Sequence, residues 1–160
     1  MSAGSWDAFA LALSEESRYL QALGSAALAM TGALVSGSPA DVEQTERKLE
    51  AARVLYSHSH TARTGMQERG FGKLTLQQVC AYAPGPMRRA VYSSLHEITT
   101  CGISLQLTVN NNKALILAGM ERLTKTVEVL QRTMTESTGA YRRRGIVPPP
   151  SGSVIMSRRA

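Results

Sequence analysis

TVNNNKALILAG, Thr108 to Gly119, decides whether the last third of this 160-residue chain is one helix or two. Asparagine bonds its own neighbouring backbone in turns and is a mediocre helix former, so three in a row ordinarily mark a loop. The flanking sequence argues otherwise. From Pro86 to about Tyr141 no further proline intervenes, and positions 91, 95, 98, 102, 105, 109, 112, 116, 119, 123, 126 and 130 keep an unbroken alternation of four and three. They read Val, Leu, Ile, Gly, Leu, Val, Asn, Ile, Gly, Leu, Thr and Leu, which is one stripe along a helix. At about 1.5 Å per residue, roughly fifty residues make a rod on the order of 75 Å long.

In that register Asn112 falls on the stripe, while Asn110 and Asn111 fall off it and face water. A stripe asparagine costs stability but penalises misaligned pairing, because only one alignment gives its amide a partner. Gly102 and Gly119 lie on the same stripe, where the missing side chain would permit close helix approach. The competing reading is that glycines and asparagines mark a loose or kinked helix centre, and the pattern alone leaves both open. If Asn112 is a register mark, it faces a polar group on the first helix, such as Glu16, or water.

Upstream, positions 6, 9, 13, 16, 20, 23, 27, 30 and 34 repeat the same spacing, with Glu16 the single polar member. They predict a first helix over about 5–35. SGSPADVE then ends it at Gly37, with Ser38 as cap and Pro39 in the first turn of a second helix over 39–69. The second stripe is weaker: Val42, Thr45, Leu49, Ala52, Tyr56, Ser59 and Met66, closing at Gly70. Thr75 and Gln78 have capping-box spacing for a short helix over 75–82. A last helix over 86–141 follows APGP. The first two helices are the only partners long enough for the last one. The expected fold is therefore all-α, an elongated antiparallel helical bundle with coiled-coil seams and a long C-terminal helix, forming one domain over 1–141 with a flexible basic tail over 142–160.

The composition agrees. Aromatic residues make up only 5% of the chain, and leucine, alanine and methionine supply most of the apolar mass. The net charge is +6, but residues 139–160 hold five arginines and no acid, so the helical body is close to neutral and is not built to track phosphates. The two cysteines, Cys80 and Cys101, are too few for a disulfide framework and are expected to be reduced. The N-terminus lacks a basic leader, and the uncharged stretch 19–40 is rich in small residues and ends in a turn, which fits a packed helix better than a membrane span. A cytoplasmic location is expected.

No motif carries catalysis. His58 and His60 project to different sides of a helix with no third ligand at useful spacing, so neither a metal nor a cofactor is expected. GMQERGFGK lacks the lysine and the preceding strand of a phosphate loop. Serine, cysteine and histidine form no recognisable nucleophile pattern, and the chain is not expected to be an enzyme. In the tail, Arg142–Arg144 and Arg158–Arg159 lack interleaved aromatics, and nucleic-acid binding is not expected. Val154, Ile155 and Met156 form a short apolar patch beyond the polyproline-like linker PPPSGS, suited to docking on a partner or on the bundle. Leu117, Met120, Val127 and Met134 give the last helix a second apolar stripe beside the first, which two neighbouring helices would bury or a partner helix would cover.

The order of these features resembles the FlgN family, flagellar export chaperones for the hook-associated proteins. The resemblance rests on LALSEESRYLQAL (Leu11 to Leu23), ALVSGSPADVEQTERKLEAARVL, ERGFGKLTLQQV, the NKALI core beginning at Asn112, and Tyr141 followed shortly by Gly145. It spans nearly the whole chain through diffuse helical patterns. It implies a non-catalytic cytosolic protein that binds the amphipathic C-terminal helix of hook-filament junction proteins, prevents their premature assembly and delivers them to the type III export gate. It also implies cargo contacts at Leu123, Val127, Leu130 and Met134, extending to Val154, Ile155 and Met156, and an export-gate contact at Tyr141. Stable membrane insertion is not expected, and a weak homodimer through the exposed stripe is compatible with the pattern. The alternative reading is a small helical adaptor for a transcription factor or another flagellar regulator.

Overall fold

The computed structural model describes the backbone of residues 3–143 and the side chains of residues 5–135. Four helices and no strand occur among them: α1 Ala3–Ser36, α2 Pro39–Phe71, α3 Leu76–Ala81 and α4 Gly85–Arg143. The fold is an all-α helical bundle. The chain divides into two compact units, Met1–Leu117 and Ala118–Ala160, with the division inside α4.

Local chemistry sets the helix ends. Gly37 adopts a left-handed φ of 69° after α1. The Ser38 side chain then accepts from the Asp41 amide, and Pro39 occupies the first turn of α2, where its missing N–H costs nothing. α2 runs two residues past the expected stop at Gly70: its cap is Gly72, at φ 65°, with Phe71 still helical. The reason is tertiary, because Phe71 stacks edge-on against Trp6 and Phe9 of α1 and rewards one more turn. Thr75 and Gln78 form the expected reciprocal capping box on α3.

In the first unit α1 and α2 run antiparallel. Trp6 meets Phe71, Glu16 meets Arg63 and Met30 meets Thr45. α4 runs parallel to α1, with Ser17 bonded to Glu97 and Thr31 to Asn112, offsets of 80 and 81 residues. At that offset Ser36, the last residue of α1, stands level with Leu117, where the unit ends. The predicted α1 stripe is buried from Trp6 to Met30 without exception. Its densest part joins Trp6, Phe9 and Leu13 to Val79, Cys80 and Ala83 of the α3 region and Val91 of α4, with Met66 and Phe71 of α2 packed against them. α3 thus acts as a fourth helical piece at this end of the bundle.

Asn112 sits on the stripe and α4 passes through it unbroken. It faces polar groups on the first helix, as expected, but these are Thr31 and the Ala27 carbonyl and not Glu16. The Thr31 hydroxyl donates to Oδ1 at 2.7 Å, and Nδ2 donates to the Ala27 carbonyl at 2.9 Å. Of the two readings left open for the stripe glycines, close helix approach is not met: a Cβ built at Gly102 or Gly119 meets nothing within 4 Å.

α1 is long and apolar enough, by length and composition, to cross a membrane. In this fold its apolar stripe lines the core, and the same stripe carries the buried carboxylate of Glu16.

Candidate partner-binding site

α4 carries the residues that the sequence singles out. Leu123, Val127 and Leu130 are 66, 47 and 56% exposed, and Met120 and Met134 are also exposed. With spacings of three and four they share one face of the helix: Leu123 and Leu130 stand at positions of the stripe that carries Val91 and Asn112, and Met120, Val127 and Met134 at positions of the second stripe beside it. Every described residue from Ala118 to Thr135 is exposed.

Threonines border this face, and Arg122 and Glu128 stand farther round on its two flanks. Thr124, Thr126 and Thr133 turn their hydroxyls back onto the carbonyls of Met120, Arg122 and Val129, which leaves their methyl groups outward and widens the apolar strip. Glu121 and Lys125 are ion-paired at 2.7 Å away from that strip. Such a face suits an apolar helix. Tyr141 lies on α4 with its side chain outside the described residues. Val154, Ile155 and Met156 lie outside the described residues altogether, as do Arg144 and the arginines at 158 and 159.

A second apolar feature, not anticipated from the sequence, lies wholly in the first unit. Met30 and Leu34 of α1 floor an open groove of about 660 Å³, walled by Val42 and Leu49 of α2 and by Val109 and Ile116 of α4. Glu46 lines the α2 wall and Lys113 the α4 wall. The signal was present in part: Val42, Leu49, Val109 and Ile116 are all stripe positions, but their failure to meet follows from helix placement. α3 packs with the other three helices near Trp6; no described segment does so here.

Polar chemistry concentrates at one buried cluster. Glu16 is 1% exposed, and its carboxylate accepts from Arg63 Nε at 2.6 Å and Nη2 at 3.1 Å, with His60 Nδ1 2.7 Å from Oε1. Arg63 Nη1 donates to Gln67, whose amide donates to the Leu74 carbonyl, tying α2 to the segment before α3. Burial pushes the Glu16 carboxyl up, but the hydrogen bonds and charges of Arg63 and His60 outweigh it and hold the group below its ordinary value. Every oxygen of this carboxylate is engaged, so the cluster is a structural ion pair. Arg63 was missed because it occupies the skipped step of the α2 stripe between Ser59 and Met66. His60 packs on the helix flank through this contact, and among the described residues no group of three or more His, Cys, Asp or Glu side chains is placed to hold a metal ion.

Compared with protein-family models, curated proteins and solved structures, the chain matches none.

Proposed function

We propose that this protein is a cytoplasmic, non-catalytic chaperone of flagellar type III export. It binds the C-terminal amphipathic helix of hook-filament junction proteins, holds it from premature assembly and delivers it to the export gate. The observation that carries the reading is the exposed strip of Leu123, Val127 and Leu130 on α4, which extends a core seam as an apolar helix face. An amphipathic cargo helix laid on it would exclude water from both stripes at about 25 cal/mol per Å² of apolar surface. The resemblance of the order of sequence features to the FlgN family is what points to this cargo, and to Tyr141 as the gate contact.

The test is capture of a purified junction protein by the full chain, followed by fluorescence anisotropy on its labelled C-terminal helix. Leu123→Asp with Leu130→Asp should weaken binding at least about tenfold, since 1.4 kcal/mol is a decade and each buried leucine contributes about 1.5–3 kcal/mol. Helicity should be unchanged, because both side chains are exposed. Equal binding by the double variant, or no capture by the unmodified chain, defeats the reading.

A further inference from the structure

We infer that the open groove between α2 and α4 receives the Leu123–Leu130 face of a second copy of this chain, so that free protein self-associates through a groove-to-stripe contact. The inference goes beyond the export reading and stands without it.

The dimensions match. Val42 to Leu49 and Val109 to Ile116 each span seven residues, about 10 Å of helix at 1.5 Å per residue, and Leu123 to Leu130 spans the same length. The groove is lined mostly by hydrocarbon on three helices, with Glu46, Asn112 and Lys113 its polar members, and is open where one further helix would lie. The stripe is an apolar helix face with nothing described against it. Both are costly to leave in water, and each is the shape the other lacks.

The charges match as well. Glu46 and Lys113 stand at the middle of opposite walls, and among the described residues neither has an ion-pair partner, although Glu43, Glu50 and Glu121 are each paired locally. On the helix that would enter, the spacing places Glu128 on one flank of the stripe and Arg122 on the other, also without ion-pair partners among the described residues. One of the two possible directions sets Glu128 against Lys113 and Arg122 against Glu46; the reverse sets like charges together. The pairing therefore selects a direction. Where two copies exchange this contact reciprocally it is made twice, which closes the assembly as a dimer.

The stripe so covered is the one assigned above to cargo. If that assignment holds, cargo and the second copy compete for it, and the dimer stores the chaperone with its apolar face shielded.

Sedimentation equilibrium of the full chain over a concentration series tests this. The weight-average mass should rise from 17.2 kDa toward twice that value. Leu49→Glu in the groove and Leu130→Glu on the stripe should each weaken association at least about tenfold. Val42→Glu is a second groove variant should Leu49→Glu lose helicity by circular dichroism. An equimolar mixture of a groove variant and the stripe variant should recover part of the association, because one intact groove then meets one intact stripe. Lys113→Glu should weaken it several-fold, and Glu128→Lys in the same chain should restore it. A monomer at all concentrations overturns the inference. So does a dimer sensitive to Leu130→Glu and indifferent to both groove variants, since two stripes would then be paired with each other. Cargo affinity measured at concentrations where the chain is monomeric reports on the export reading separately.

Discussion

Glu16 and Arg63 show how a single residue's role depends on what stands opposite it. A carboxylate on an apolar stripe is costly alone and tolerable only when paired and hydrogen-bonded. Arg63→Met should leave Glu16 buried without its main partner and cost about 3–5 kcal/mol of stability at neutral pH in urea unfolding, whereas Glu16→Leu together with Arg63→Met should recover most of it. The pH dependence follows from the direction of the Glu16 shift. Its folded value is held below the ordinary 4.5, so the ionised pair stabilises fully above about that pH and the contribution is lost as pH falls through the lower folded value. Glu16→Gln should remove that part of the acid dependence; an acid limb identical in the variant would show that other carboxylates carry it. Asn112 illustrates the same dependence more mildly: its position on the stripe was legible, and its partners, Thr31 and the Ala27 carbonyl, were not.

At the scale of an element, α4 stays helical through weak helix formers. Three asparagines and four glycines lie within its 59 residues, and α1 and α2 reward its stripe as far as Leu117. Gly102 takes a helical conformation, and an added Cβ there meets no atom. Gly102→Ala should therefore stabilise the protein by about 0.5–1 kcal/mol, read as a higher urea midpoint at unchanged slope. A destabilised variant would mean that Gly102 has a packing role after all. The caps at Ser38 and Thr75 were readable because capping is a local exchange of hydrogen bonds within four residues. The end of α2 was misplaced by two residues because the deciding contact, Phe71 on Trp6, lies at the far end of another helix.

For the whole molecule, the two units differ in what protects their backbone. Residues 91–112 lie along a seam with buried Val91 and Asn112, whereas every described residue from 118 to 135 is exposed. Helix segments without tertiary packing open readily, so amide exchange should be several orders of magnitude faster in 118–135 than in 91–112. Equal protection in dilute protein would contradict the division. Helices, caps and the apolar stripes of α1 and α4 follow from the sequence by itself, because periodicity and capping are properties of neighbours along the chain. The ionic partner of Glu16, the amide partners of Asn112, the residue at which α1 stops covering α4 and the open groove were decided only in the tertiary structure. Each depends on the axial register between helices far apart in sequence, and a stripe with a constant period looks the same at every step until aromatic packing and buried polar pairs choose one.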